Sequence, residues 1–520
     1  VVNDGTSDPS PAPTECNTAA TADDNTIQDA VDNATAGQTI LVCPGTYTEN
    51  VTVSESVTLQ GVNAGTPGNG SRGDETVVDA GTASLSAAAF TIEAADVTID
   101  GFQLTGSQGV VLDGSDAPNR DDWVGATILN NLVETDIRGV GIESLTTTGS
   151  SFTIQDNQLA IQKQEFDSGD GVVGDNFGEQ TIAIEVNDLD GVAVPTISNN
   201  VITDDGEDDQ NPDNPVANPS ARNDGAFTGY SLNGVNVSDG PVTIDGGTVS
   251  GTLQGIAVSD DGATTPRAND FKIDGVTLNG FAGVANNGGI NYHAGVVIFT
   301  GGSESRTTTG LITGVTIEET DVPRAGNESQ GASPSSGILF YGFGSGNAQD
   351  IDVEQTTIKD NANRGVYARG GQTAVKVTQS TLRGNGDDPF DARASVGTES
   401  EGSGIVVRAG ADVRVVKSEV TNPSSSTDFG STLFVDTGNT GGNLTVERSR
   451  IDRNGVEDIN GNPGNLISGA VDASGNAFVD GATGGVDPRT ASGIAGAADI
   501  SPFIVPANTD DTAPAIRANA

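Results

Sequence analysis

One seven-residue pattern recurs along the chain and constrains its fold more than any other feature. Each copy has Ile or Val at its second position, two polar or small residues, a fifth residue that is usually Asn, Ser, Thr or Gly, and an aliphatic seventh. Copies centre on Ile99 (TIDGFQL), Ile128 (TILNNLV), Ile154 (TIQDNQL), Ile197, Ile244, Ile273, Ile312, Val353, Val377, Val415 and Val446. Alternation of apolar and polar residues, a bend at Asn or Gly and a resumed aliphatic read as strand, tight turn, strand. The spacing runs from 24 residues (Val353 to Val377) to 47 (Ile197 to Ile244), as in repeats that bury their apolar face only against neighbouring copies. Asn131, Asn157 and Asn200 hold equivalent places and are expected to stack into a hydrogen-bonded ladder. A third segment with a G-V or G-I start follows several copies, near Val110, Val140, Ile256 and Val366. Three strands per turn predict an all-β chain, a single right-handed parallel β-helix of about 13–14 rungs. A β-propeller would need hairpin turns that the sequence lacks.

Composition fits that architecture and narrows the partners. Aromatic residues make up 4% of the chain, so the core is built from small and β-branched side chains, which suit stacked strands. Lys and Arg number 23 against 72 Asp and Glu, a formal charge of −49, which argues against nucleic acid as a partner because phosphate binding needs a cationic footprint. Only Lys163, Lys272, Lys359, Lys376 and Lys417 are lysines. An acidic, Lys-poor surface of this kind points to a salt-loving microbe, in whose medium self-repulsion is screened. No apolar run is long enough to span a bilayer. The chain begins at Val1 and contains no Met, from which an exported, extracellular or surface protein is expected. Cys16 and Cys43, the only thiols, are expected to form a disulfide, with two isolated buried cysteines as the alternative.

The run TIQDAVDNATAGQTILVCPGTYTENVTVSESVTLQG, Thr26 to Gly61, resembles the opening of pectin-lyase-like right-handed β-helix proteins. The resemblance implies a short N-terminal capping helix with Ile27, Ala30 and Val31 on its buried face, followed by a turn carried by Gly45, Tyr47 and Glu49. It speaks for fold and little for activity, since that superfamily includes lyases, hydrolases, esterases and non-enzymatic surface proteins. The expected division is an extended arm over 1–23, the capped helix over 24–480 and a tail over 481–520. Long insertions at 163–178, 204–229, 281–293, 322–336 and 385–403 mostly branch from one corner of the coil, which predicts that they gather on one side and form the functional surface.

No full catalytic set emerges from the residues. Asp205 and Asp208 sit in an acidic loop and, with His293 and Tyr292 in NYHAG, are the weak catalytic candidates, for acid–base cleavage of a glycan. A solvated acidic loop is the simpler reading. Tyr292, Phe340, Tyr341 and Phe343 cluster in consecutive copies and are candidates for stacking on sugar faces, with core packing as the alternative. Arg364, Arg369 and Arg408 lie by the G-V/I segments and suit salt bridges among the carboxylates, or else the lining of one face. Asp458, Asn460 and Asn462 alternate like the first ligands of a calcium loop, but Pro463 displaces the glycine and no bidentate Glu follows, so a structured turn competes. No cofactor is required, and Ca²⁺ is an option at that loop. The expected function is an exported, non-enzymatic structural protein of the cell surface or an extracellular filament, self-associating through its terminal arms or coil ends. The alternatives are a polysaccharide lyase or hydrolase, or a glycan-binding spike, acting through the loop-bearing face.

Overall fold

The structure, a computed structural model, describes residues 1–2, 24–82, 84, 86–113, 124–143, 151–161, 182–187, 194–204, 233–252, 254–260, 268–279, 294–302, 305–318, 336–344, 346–361, 364–385, 403–421, 432–435, 442–452, 467–468, 471–472, 477–479, 494–495 and 498–499. The chain divides into two compact units, Val1–Asn218 with Ala226–Thr252, and Pro219–Gly225 with Leu253–Ala520. Each is a parallel β-helix. Strands of successive coils stack in parallel register on three faces, one face from each segment recognised in the sequence, and do not close into a barrel.

In the first unit the Ile of the repeat builds one buried column, Ile40, Leu59, Ile99, Ile128, Ile154, Ile197 and Ile244, each in register with the next. The preceding Thr forms a parallel outward row from Thr39 through Thr58, Thr98, Thr127, Thr153 and Thr196 to Thr243. The seventh-position aliphatics stack as Leu104, Val133, Leu159, Ile202 and Val249 on the second face, and Phe90, Val110, Val140, Ile184 and Val235 stack on the third. Like residues thus meet like at every level, which is why β-branched and aliphatic side chains dominate the pattern. The second unit repeats the arrangement with Ile273, Ile312, Val353, Val377, Val415 and Val446. Parallel pairing continues to Ala498–Asp499, which pairs with Val471–Asp472. Among the described residues the first face carries seven strands in the first unit and eight in the second, whereas the sequence pattern marks eleven copies. The four extra strands carry Ile40, Leu59, Val471 and Ala498, where the second half of the pattern is absent or altered.

The corner has a conformational signature that the sequence pattern hides. The fourth residue of all eleven copies has positive φ, from Gly101 (+82°) through Asn130 (+54°) and Asp156 (+56°) to Gln355 (+49°), Gln379 (+52°), Lys417 (+52°) and Arg448 (+51°). The bend is therefore made at position four, not at the Asn of position five. Where residue five is Asn131, Asn157, Asn200, Ser380, Ser418 or Ser449, its side chain turns inward and its carbonyl or hydroxyl oxygen accepts the backbone N–H of residue five one coil earlier. Asn131 Oδ1 accepts from Phe102 N at 2.9 Å, Asn157 Oδ1 from Asn131 N at 2.9 Å, and Asn200 Oδ1 from Asn157 N at 3.1 Å. In the second unit hydroxyls take over, with Ser380 Oγ accepting from Thr356 N at 3.2 Å, Ser418 Oγ from Ser380 N at 3.1 Å and Ser449 Oγ from Ser418 N at 3.1 Å.

The N-terminal end is closed by the helix Ile27–Asn33, which buries Ile27, Ala30 and Val31. Thr26 caps it through a 3.0 Å bond from Asp29 N, and the Glu49 carboxylate accepts from Ile27 N (3.0 Å) and Gln28 N (3.1 Å). An acceptor and a negative charge at a helix N-terminus satisfy otherwise unpaired N–H groups. Val2 adds a strand bridge to Val42. Tyr47, 3% exposed, donates to Cys43 O at 3.1 Å. Among the described residues no helix is long and apolar enough to cross a membrane.

Candidate functional site

The third face of the second unit is apolar on both sides. Inward it stacks Ile256, Val296, Ile338, Val366, Ile405 and Leu433. On the outer side Ala257, Val297, Leu339, Tyr367, Val406 and Phe434 form a second buried row. Two residues further along each strand the outer row changes character, running Phe299, Tyr341, Arg369 and Arg408 in register over four coils. These side chains are half-buried. Phe299 and Tyr341 have ring centroids 5.6 Å apart, Tyr341 and Phe343 6.2 Å, and the Arg369 guanidinium lies 5.3 Å from the Tyr341 centroid. Phe343 is 60% exposed. The result is a strip of rings edged by two guanidinium-bearing positions, on a chain whose formal charge is −49.

The strip is held from beneath. Gln349, 1% exposed, donates from Nε2 to Ile298 O (3.1 Å), Thr300 Oγ1 (3.1 Å) and Tyr341 O (3.2 Å), tying the backbone of Tyr341 to the preceding coil. Phe343 N donates to Thr300 O at 2.8 Å, and Asn347 Nδ2 donates to both Phe343 O and Gly302 O. Asn347 Oδ1 in turn accepts from Arg306 N at 3.2 Å. Arg306 donates to Asp260, both side chains being almost fully buried, and Thr300 and Thr308 share a 2.6 Å hydroxyl contact. A ring set on so connected a backbone is positioned before any ligand arrives.

Parity along the strand sorts the proposed sugar-binding residues. Phe340 points into the core at 0% exposure, so its ring is withdrawn from any surface. Tyr341 and Phe343 remain on the outside, and Phe299 and Arg369 join them from neighbouring coils. Arg364 is 4% exposed and its guanidinium lies 4.6 Å from the Tyr367 centroid. Tyr292, His293, Asp205, Asp208, Asp458, Asn460, Asn462 and Cys16 lie outside the described residues, as do nearly all of the long insertions. Cys43 is fully buried. Among the described residues no group of three or more His, Cys, Asp or Glu side chains is arranged to hold a metal ion. Phe299 has a signal in the sequence only once Ala294–Thr300 and Ser336–Gly342 are aligned by their shared apolar alternation, which sets Phe299 opposite Tyr341. The chain matches no family model, no curated protein and no solved structure.

Proposed function

We propose that the chain is an exported, non-enzymatic β-helix protein of the cell surface of a salt-loving microbe, and that it adheres to glycans through Phe299, Tyr341 and Phe343. The observation that carries this reading is the aromatic strip pinned by Gln349 and Asn347. Sugar rings present C–H faces that stack on aromatic rings, and the neighbouring Arg369 supplies donors for hydroxyl or acidic groups. Kinship with the pectin-lyase-like right-handed β-helices is part of the proposal, supported by the capping helix and by Glu49, which accepts from its first N–H groups; Gly45–Tyr47, expected as a turn, is instead a strand paired in parallel with Thr76–Val78. Export is supported by a Cys16–Cys43 disulfide, itself proposed, to which the lack of free cysteines among the described residues is favourable. Self-association through the terminal arms belongs to the same reading. No cofactor is needed, and calcium would enter at Asp458, Asn460 and Asn462.

The test is titration of the purified chain in molar salt with a panel of neutral and acidic oligosaccharides, alongside assays for new reducing ends and unsaturated products. Saturable binding without product is expected, weakened about tenfold by Tyr341→Ala or Phe343→Ala. Phe343 is exposed, so its removal leaves the core intact. Turnover of a bound glycan would establish a lyase or hydrolase instead, and absence of binding across the panel would remove the adhesive role.

A further inference from the structure

The segment between the strands Thr58–Gln60 and Thr76–Asp79 does more than connect them. Residues 61–75 leave their own coil and run across the corners of the next three. At the first of these, Gly61 N donates to Asp100 O at 2.9 Å, Gly65 N to Asp100 Oδ1 at 3.0 Å, and Arg72 Nη2 to Phe102 O at 3.3 Å. At the second, Arg72 Nη1 donates to Asn130 O at 2.6 Å. At the third, Gly68 N donates to Asp156 O at 2.7 Å. The segment is braced internally, since Arg72 makes a two-pronged pair with Glu75 at 2.8 and 2.9 Å, and Asn63 Nδ2 donates to Asp74 O and to Glu75 Oε2. The Arg72 side chain is only 6% exposed. Contact at the far end is close enough that a Cβ on Gly68 would lie 2.2 Å from Asn131 O and 2.4 Å from Gln158 N.

Stacked-repeat proteins ordinarily couple only nearest neighbours, so their ends open one repeat at a time. Here the coil beginning at Thr58 cannot open without breaking contacts to the coils beginning at Thr98, Thr127 and Thr153. We propose that residues 61–75 are a strap that makes these four coils open together, so that the helix-capped end of the first unit does not fray coil by coil. For a surface protein the consequence is resistance to proteases that need a locally opened segment.

Native-state hydrogen exchange of the full chain tests the strap. In the native sequence, amides in Thr58–Gln60 and Thr153–Gln155 are expected to exchange with protection factors within about threefold of each other, the mark of a shared opening. In Gly68→Ala, and in the milder Arg72→Met, which loses the bonds to Phe102 O, Asn130 O and, within the segment, Thr66 O, together with the Glu75 pair, a gradient is expected. Exchange at Thr58–Gln60 should rise at least tenfold relative to Thr153–Gln155, and Gly68→Ala should become open to trypsin at Arg72. Asn69→Ala, on the exposed side of the strap, should leave both unchanged. A gradient already present in the native sequence would overturn the proposal, as would variants that raise exchange equally in all four coils or not at all.

Discussion

Removing Asn157 from the corner ladder tests the internal logic of the coil, and the structure sets the size of the effect. Asn157 is 1% exposed. Its Oδ1 accepts from Asn131 N (2.9 Å) and Asn131 Nδ2 (3.1 Å), and its Nδ2 donates to Ile128 O (3.0 Å) and Asn200 Oδ1 (3.0 Å). In Asn157→Ala the Asn131 side-chain amide keeps Ile99 O, and Asn200 Oδ1 keeps Asn157 N. The backbone N–H of Asn131 is left facing the space of the missing carbonyl. An orphaned buried donor costs about 1–3 kcal/mol and each of the three other lost bonds about 1 kcal/mol, so the variant should lose about 4–6 kcal/mol. Urea unfolding in molar salt measures it, and exchange of the Asn131 amide supplies a local readout. Asn157→Asp keeps an acceptor but sets a carboxylate against Ile128 O and Asn200 Oδ1, both acceptors. Burial among acceptors raises the folded-state pKa of the introduced carboxyl above its unfolded value of about 3.9. Its contribution is then present below that value and lost as pH rises through the folded pKa, so this variant should be least stable at neutral pH. A loss under about 1 kcal/mol in Asn157→Ala, or an Asn157→Asp stability that does not fall between pH 4 and pH 7, would show that the ladder does not carry the corner.

Three further outcomes follow from the same structure. Lys417 and Gln379 hold left-handed backbone without the relief of Gly or Asn, at about 1–2 kcal/mol each, against an entropic cost of about 0.5–1 kcal/mol for glycine. Lys417→Gly and Gln379→Gly should therefore each raise stability by about 0.5–1 kcal/mol. Gly314→Ala should lower it by about 1 kcal/mol, because its nearest neighbour, Asp274 Oδ1, leaves 3.6 Å for a Cβ and only the backbone is strained. Unchanged urea midpoints would contradict the assignment of the bend to position four. The charge of −49 predicts that the thermal midpoint rises steeply as NaCl goes from 0.1 to 1 M and flattens beyond, as the Debye length falls from about 10 Å to about 3 Å. A midpoint independent of salt would count against the salt-loving source.

The stack was readable in the sequence because its faces repeat the same chemistry at the same place. Ile99, Ile128 and Ile154 are found by alternation, which reports burial directly, and the helix face Ile27, Ala30 and Val31 by the resemblance of Thr26–Gly61 to the opening of pectin-lyase-like β-helices. The bend was not readable, because Gln355, Lys417 and Arg448 carry no turn preference and occupy the left-handed position only because residues on both sides are fixed by stacking. The Asn positions drew attention as the apparent turn, although their role is to satisfy the turn from inside. At the aromatic strip the limit was parity. Phe340, Tyr341 and Phe343 are adjacent in sequence, yet one residue separates a core side chain from a surface one, and Phe299 and Arg369 reach the strip from other coils.

The polar ground beneath the strip supports a binding surface better than it supports stability alone. A buried ion pair such as Arg306–Asp260 loses the hydration of both charges, and well-packed apolar side chains in its place are often as stable or more so. What Gln349 and Asn347 do, and aliphatic residues would not, is direct hydrogen bonds to particular backbone atoms: Ile298 O and Tyr341 O from Gln349, and Phe343 O and Gly302 O from Asn347. Each of these bonds fixes one of the strands that carries a ring, or the turn that exposes Phe343. Rings so fixed lose little conformational freedom on meeting a ligand, which would favour the affinity that stacking can supply.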